Sequence, residues 1–243
     1  MELKYSNEIR IPLSACGPDG RLALPAAFRL FMDLAAEHAE LLGTGIDALA
    51  AEDLFWLAVR TRVRLFRRPV LLEKAALTTW PEKPGAARCC RSYTITAGGE
   101  LLAAGRTEWA VINTATGRLM PMTAVYTPEL TARLTEETAL PGAFSRIRES
   151  FAPEERLGNY TVRPTDIDLG GHMNNSAYAR MVMDAAPLSE QRERPVREME
   201  LCYRAPCYEG QELRLFRRET EDGWEMGVFL PDGKTALLAK AVL

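Results

Sequence analysis

The feature that most constrains this chain is an internal repeat. Arg29-Leu-Phe-Met-Asp33-Leu-Ala resembles Arg180-Met-Val-Met-Asp184-Ala-Ala, which follows 151 positions later. In the first copy, apolar side chains recur every three or four positions from Phe28 onward, the spacing of a buried helix face. Because a repeat of this kind implies two copies of one structural plan, we expect the two halves of the chain to share one fold.

The segments after each helix predict antiparallel strands. Phe66-Arg-Arg-Pro69 resembles Tyr203-Arg-Ala-Pro206, 137 positions later. Just before the first of these motifs, the odd-numbered residues from Leu57 to Leu65 are predicted to face one way and the intervening arginines the other. This two-residue period is typical of a half-buried strand.

Turn signals complete the plan of each half. A Gly-rich turn at 97–100 and a Pro-Asp-Gly turn at 231–234 each separate two β-like runs. A strand-like piece also precedes each helix, at 8–13 and at 160–162. Each half is therefore predicted as a long helix wrapped by a curved antiparallel sheet, an α+β class. We expect an N-terminal domain at 1–126, a linker at 127–157 and a C-terminal domain at 158–243.

Composition argues against several functional classes. The 30 basic and 33 acidic residues give a net charge of −3, whereas nucleic-acid-binding proteins usually carry a basic excess. No apolar run reaches the roughly 20 residues of a transmembrane helix, and the N-terminal segment resembles neither a signal nor a transit peptide. Two histidines and five cysteines without a CxxC pair favour neither a metal site nor a disulfide framework. We expect a cytoplasmic protein that binds neither nucleic acid nor a membrane and holds no metal.

The densest cluster of polar residues precedes the second helix. Asp166, Asp168, two glycines, His172 and two asparagines fall within residues 166–175. Asn174 or Asn175 is expected to cap the helix. The cap would place the histidine beside a helix N-terminus, where backbone amides favour negative charge.

These groups suit acyl transfer or hydrolysis. Gly170 and Gly171 allow another group to approach the backbone, and amide donors can hold a developing oxyanion. The imidazole of His172 can position or deprotonate a water, while Asp168 either fixes its tautomer or acts as the base. The alternative is a capped turn with an incidental histidine, which the adjacent Gly-Gly and Asn-Asn pairs make less attractive.

The same segment resembles a known family. Residues 166–178 are similar to the D-x-D-x-N-x-H-V-N-N-x-x-Y signature of acyl-ACP thioesterases, enzymes of plants and bacteria. Blocks at 37–45, 54–60 and 201–207 also resemble parts of these enzymes. The resemblance implies a tandem hotdog fold, hydrolysis of fatty acyl-ACP in fatty acid biosynthesis, and no cofactor. It places Asp168 and His172 at catalytic positions.

Two positions depart from the family pattern. Gly170 stands where the signature has Asn, and Pro206 stands where the family's L-E-Y-R-R-E-C segment has Glu. Related single-hotdog thioesterases also vary at the Asn position, so hydrolysis is still expected. Glu200 or Glu209 is a candidate replacement for the missing carboxylate.

Two further residues have open roles. Cys207 matches a cysteine of the family segment and is either a nucleophile paired with a histidine or, as we favour, a small residue packed on a strand. His38 lies outside the signature, so we expect it to be structural. The first half has no Asp-x-x-x-His cluster. We therefore expect one active site per chain, between the halves.

The resemblance implies that the partner is acyl carrier protein bearing a fatty acyl phosphopantetheine. Five arginines within residues 60–68 would form a basic patch for this acidic carrier, or else the solvated face of a strand. They are Arg60, Arg62, Arg64, Arg67 and Arg68. The alternative functions are a hotdog acyl-CoA thioesterase and a hotdog protein that binds acyl chains without hydrolysing them. A monomer and a homodimer through exposed sheet edges are both plausible.

Overall fold

The chain folds into two compact units with an α+β architecture. The computed structural model describes residues 3–243. The first unit ends at Gly142, and the second spans Ala143–Leu243. The boundary falls inside the predicted linker at 127–157. No helix within residues 3–243 is long and apolar enough to cross a bilayer.

The first unit is an antiparallel sheet with one long helix. Its strands are β1 (Tyr5–Arg10), β2 (Leu54–Leu65), β3 (Lys74–Pro81), β4 (Cys89–Ala97), β5 (Glu100–Asn113) and β6 (Leu119–Met120). They lie in the order β1-β3-β4-β5-β2, with β6 paired to β5. The helices are α1 (Leu24–Leu41), α2 (Ile46–Ala50) and α3 (Pro128–Thr131). The predicted hairpin turn at 97–100 connects β4 to β5 and is confirmed.

Helix α1 buries the apolar face that its sequence predicts. Phe28, Phe31 and Ala35 are almost fully buried. The ring of Phe31 stacks on Tyr93 of β4, with ring centroids 4.9 Å apart. Gly105 of β5 allows this contact, because a Cβ there would lie 2.7 Å from the Phe31 ring. The aromatic pair thus sets how closely the helix approaches the sheet.

Strand β2 departs from the predicted alternation. Val63 and Leu65 are buried as expected. Upstream, however, Leu57 is 39% exposed while Ala58 is buried, so the prediction that Leu57 faces the same way as Val63 and Leu65 is wrong. The pairing of β2 with β5 shifts between Ala58 and Arg60. A bulge inserts one unpaired residue into a strand, which inverts the alternation on one side of it.

The second unit has the same kind of sheet and a shorter helix. Its strands are β7 (Arg156–Thr161), β8 (Glu198–Tyr203), β9 (Glu212–Thr220), β10 (Gly223–Phe229) and β11 (Thr235–Val242). They lie in the order β8-β11-β10-β9-β7, and every pairing is antiparallel. The helices are α4 (Asn175–Asp184) and α5 (Leu188–Glu193). The predicted turn at 231–234 connects β10 to β11 and is confirmed.

The two units repeat individual contacts as well as elements. A 3-10 turn at Leu13–Ala15 and a β-bridge joining Cys16 to Leu22 precede α1. A 3-10 turn at Pro164–Asp166 and a β-bridge joining the two ends of segment 167–173 precede α4. The second 3-10 turn and the second β-bridge each follow their counterparts by 151 residues, the offset that the helix motifs predict.

The segments that follow the helices in the two units correspond at an offset of 138 residues. The sequence motifs predicted an offset of 137, which is wrong by one residue. The amide of Leu22 donates to the carbonyl of Pro69 at 2.9 Å, and the amide of Met173 donates to the carbonyl of Cys207 at 2.8 Å. Pro69 is therefore the counterpart of Cys207. The motif similarity instead pairs Pro69 with Pro206, although these two prolines are not structurally equivalent.

Candidate active site

The segment from Asp168 to His172 forms a tight turn between β7 and α4. A β-bridge between Ile167 and Met173 closes it. The amide of Asp168 donates to the carbonyl of His172 at 3.0 Å, and the amide of Gly171 donates to the carbonyl of Asp168 at 3.0 Å. Gly171 has φ +73°, a left-handed conformation that glycine adopts without strain. The turn thereby places the side chains at 168 and 172 near each other.

The carboxylate of Asp168 and the imidazole of His172 approach across this turn. Nδ1 of His172 lies 3.8 Å from Oδ1 of Asp168, and each side chain is 27% exposed. The same oxygen accepts the amide of Gly170 at 2.8 Å, which fixes the carboxylate on the turn. At 3.8 Å the pair is in electrostatic contact rather than hydrogen-bonded. A carboxylate in this position can orient an imidazole that takes a proton from water.

Asn174 provides the predicted N-cap of α4. Its Oδ1 accepts the amide of Ser176 at 2.7 Å and the hydroxyl of Ser176 at 2.6 Å. Asn175 is the first residue of the helix, and its carbonyl accepts the hydroxyl of Tyr203 at 3.5 Å. Because the helix begins three residues after His172, its dipole favours negative charge at the turn.

Asp166 is the structural member of the polar cluster. Its side chain is buried, and Oδ2 accepts the hydroxyl of Tyr160 at 2.6 Å and the amide of Arg163 at 2.9 Å. Oδ1 pairs with Arg180 of α4, and the Asp166 carbonyl accepts the amide of Asn174 at 2.8 Å. Burial and this carboxylate together raise the pKa of Tyr160. The sequence analysis assigned no structural role to Asp166. The spacing of Arg163-x-x-Asp166, which resembles that of a capping box, is the sequence signal for this role.

Cys207 has the environment of a packing residue. It is fully buried and lies in the loop after β8, not on a strand as predicted. Its side chain contacts the hydroxyl of Tyr178, and burial raises the pKa of the thiol. A buried thiol with a raised pKa has little thiolate at neutral pH, which disfavours the nucleophilic role.

The two candidate replacements for the missing carboxylate are placed differently. Glu200 lies on β8 and is 2% exposed, and its two oxygens accept the amide of Ser145 at 2.8 and 3.0 Å. Glu209 is exposed in the connection between β8 and β9. Replacement of the family's Glu by either residue stays a prediction.

Arg62 does not belong to the predicted basic surface. Its side chain is buried, and Nη2 donates to the carbonyls of Leu140 and Pro141 at 3.0 and 2.8 Å. It therefore fixes the last residues of the first unit to β2. A guanidinium in this position presents little charge to a partner protein.

Carboxylates neutralise two more of the five arginines. Arg67 donates to Glu73 and Glu100, and hydrogen bonding to these carboxylates raises its pKa. Arg68 pairs with Asp19 at 2.6 Å. Of the remaining two, Arg64 is exposed and Arg60 is half-buried. The exposed positive charge is thus smaller than the sequence suggests.

His38 has the contacts of a core side chain. It is 1% exposed on α1, and its ring stacks on Tyr5 with centroids 5.5 Å apart. Nη1 of Arg91 lies 3.0 Å from Nδ1 of His38. Because a guanidinium can only donate, Nδ1 is the acceptor and Nε2 carries the proton. Burial, assisted by Arg91, lowers the pKa of His38 to about 4.

Family comparison matches both units of the chain. The profile of the family described as Acyl-ACP thioesterase N-terminal domain matches residues 2–130. The profile described as Acyl-ACP thioesterase C-terminal domain matches residues 151–231.

Curated relatives include plant enzymes of moderate similarity. The oleoyl-acyl carrier protein thioesterase, chloroplastic, of Coriandrum sativum is 23% identical over 222 residues, which cover 84% of this chain and 60% of the relative. The palmitoyl-acyl carrier protein thioesterase, chloroplastic, of Arabidopsis thaliana is 24% identical over 203 residues, which cover 79% of this chain and 49% of the relative. The chain thus spans about half to three fifths of the length of these relatives.

Solved structures share the fold along nearly the whole chain. An acyl-ACP thioesterase from Bacteroides thetaiotaomicron has a TM-score of 0.89 at 22% identity, covering 98% of this chain and 97% of the other. The 12:0-ACP thioesterase from Umbellularia californica has a TM-score of 0.88 at 20% identity, covering 100% of this chain and 97% of the other. At these identities the likeness establishes the fold.

Proposed function

The chain belongs to the acyl-ACP thioesterase family, and on this premise we propose that it hydrolyses fatty acyl-[acyl carrier protein] to release a free fatty acid. The observation that carries the proposal is the turn that brings Asp168 and His172 together ahead of helix α4, in a chain that both family profiles match. The relatives are named for the same thioester substrates. Acyl carrier protein with a fatty acyl phosphopantetheine is the partner in this proposal.

The proposed reaction needs a base, support for an oxyanion and a proton for the leaving thiol. The imidazole of His172 takes a proton from a water, whose oxygen attacks the carbonyl carbon of the thioester. Negative charge develops on the carbonyl oxygen, and the N-terminus of α4 favours it. When the tetrahedral intermediate collapses, the C–S bond breaks and the imidazolium returns the proton to sulfur. Asp168 orients the imidazole and stabilises its charged form throughout.

A tandem hotdog fold and a cytosolic location belong to the same proposal. The repeated 3-10 turns, β-bridges and helices at one constant offset support two copies of a hotdog unit. All five cysteines are free thiols, which suits a reducing compartment.

The test is the release of free fatty acid from purified acyl-ACP over a range of chain lengths. His172→Ala and Asp168→Asn should each lower kcat by about 100-fold or more, the usual contribution of general acid–base groups. Leu169→Ala is the matched control, because this side chain is 96% exposed on the same turn. Full turnover by His172→Ala would remove the imidazole from the mechanism, and no fatty acid from any acyl-ACP would contradict the proposed function.

The alternatives correspond to other outcomes of that assay. Faster turnover of a matched acyl-CoA than of acyl-ACP would indicate a coenzyme A thioesterase. Tight binding of acyl-ACP without product over hours would indicate a binding protein. Gly170 and Pro206 motivate this last reading, since neither offers the polar side chain of the family signature.

A further inference from the structure

A turn in the first unit repeats the backbone of the Asp168–His172 turn. The amide of Gly17 donates to the carbonyl of Arg21 at 2.8 Å, and the amide of Gly20 donates to the carbonyl of Gly17 at 3.0 Å. Gly20 has φ +68°, close to the +73° of Gly171. The two turns thus share their hydrogen bonds at an offset of 151 residues, and their side chains can be compared position by position.

In the first turn an ion pair fills the space beside the backbone. Asp19 is the counterpart of Gly170, and its Oδ2 accepts Nη1 of Arg68 at 2.6 Å. Nε of Arg68 donates to the carbonyl of Leu22 at 2.7 Å. At the 138-residue offset Arg68 is the counterpart of Pro206. The ion pair is therefore formed by the first-unit counterparts of Gly170 and Pro206, the two positions at which the second unit departs from the family pattern.

In the second turn the imidazole stands where the first turn has its ion pair. A Cβ on Gly170 would lie 2.9 Å from Nε2 and 3.3 Å from Cε1 of His172. Nδ1 of His172 lies 3.4 Å from the carbonyl of Met173, the counterpart of the Leu22 carbonyl to which Arg68 donates. A side chain at 170 and this position of the ring are therefore mutually exclusive.

We propose that Gly170 is a positioning residue, whose missing side chain lets the His172 ring lie on the turn with Nδ1 toward Asp168 and the Met173 carbonyl. Oδ1 of Asp168 and the Met173 carbonyl, which lie 3.8 and 3.4 Å from Nδ1, are hydrogen-bond acceptors. Nδ1 therefore carries the proton, and the lone pair on Nε2 serves as the base. The Asp168–His172 pair thus works without the Asn and Glu of the signature. The expected effect of Gly170 on catalysis rests on the proposed hydrolysis. The tautomer of His172 follows from the geometry of the turn and is independent of that proposal.

The tautomer can be measured without any substrate. The chain has two histidines, and the contact with Arg91 assigns the opposite tautomer to His38. Long-range ¹H–¹⁵N spectra at about pH 8.5, well above the ordinary imidazole pKa, should show Nδ1–H on His172 and Nε2–H on His38. In Gly170→Ala the His172 ring should lose the Nδ1–H tautomer while the His38 signals stay unchanged. A wild-type His172 protonated on Nε2, or an unchanged tautomer in the variant, would overturn the inference.

Kinetics on acyl-ACP tests the consequence for catalysis. Gly170→Ala should fold normally, because the atoms nearest to its Cβ belong to the side chains of His172 and Asp168 rather than to the backbone. It should lose about 10- to 100-fold in kcat with little change in KM. Gly85→Ala is the control, since Gly85 is exposed and its Cβ would meet only the Arg88 carbonyl at 3.4 Å.

Asp168→Asn should cost little further activity in the Gly170→Ala background, because the pair is already broken there. A changed tautomer with unchanged kcat would refute the positioning role. If wild-type protein releases no fatty acid, the proposed function fails, while the tautomer of His172 still decides whether Gly170 places the ring.

Discussion

Replacement of Asp166 by alanine should destabilise the second unit through unpaired donors. The carboxylate is almost fully buried, and it accepts the Tyr160 hydroxyl at 2.6 Å and the Arg163 amide at 2.9 Å. Each donor left without a partner costs about 1–3 kcal/mol where water cannot reach it. The side chain of Arg180 is 50% exposed and returns to water at little cost. Because Tyr160 is half-buried and Arg163 is exposed, water can partly replace the lost acceptor. We therefore expect a loss of about 2–4 kcal/mol in the free energy of unfolding, below the sum of two full penalties.

The counterpart turn supplies a control with the same substitution. Asp19 also pairs with an arginine, but its side chain is 46% exposed. Asp19→Ala should therefore cost about 1 kcal/mol or less, as exposed ion pairs do. Urea unfolding measures the Asp166 effect when it is followed by tryptophan fluorescence in a variant whose three other tryptophans are replaced by Phe, so that Trp224, buried in the second unit, is the reporter. If Asp166→Ala costs no more than Asp19→Ala, the reasoning from burial is refuted.

Three further predictions use other parts of the molecule. Because burial lowers the pKa of His38 to about 4, the unfolded chain binds a proton between about pH 6.5 and 4 that the folded chain does not. Stability should therefore fall by up to about 3 kcal/mol as the pH drops through this window, and thermal unfolding of His38→Gln should lack that dependence. Charge reversal at exposed Arg64 should raise KM for acyl-ACP severalfold and leave KM for acyl-CoA unchanged. Arg62→Ala should instead lower Tm, because it leaves the Leu140 and Pro141 carbonyls without their donor.

The two related turns explain why the chemistry is expected in one unit. Gly17 and Arg21 stand where the second turn has its carboxylate and imidazole. The ion pair of Asp19 with Arg68 then occupies the space beside the backbone. The same backbone therefore supports a structural ion pair in one unit and a candidate acid–base pair in the other. Three of the differences between the two turns bear on these outcomes: Gly17 and Asp168, Arg21 and His172, and Asp19 and Gly170. The missing side chain at Gly170 is the difference that leaves room for the imidazole ring.

Local sequence was sufficient wherever the physical cause was local. The spacing of apolar residues predicted α1, the Gly-rich and Pro-Asp-Gly turns predicted the two hairpins, and the Asn-Asn pair predicted the cap of α4. Periodicity and turn chemistry act within a few residues, so they can be read without a structure.

The repeat and the signature in residues 166–178 likewise identified the family. They also predicted that Asp168 and His172 lie close together, because a four-residue separation within one turn is a local property.

Tertiary structure decided what depends on residues distant in sequence. The bulge in β2 arises from pairing with β5, the burial of Arg62 from the chain near Leu140, and the true offset of 138 from two backbone hydrogen bonds. The fit of the imidazole against Gly170 also needed coordinates, since a glycine in a sequence does not reveal which neighbour fills the space beside it.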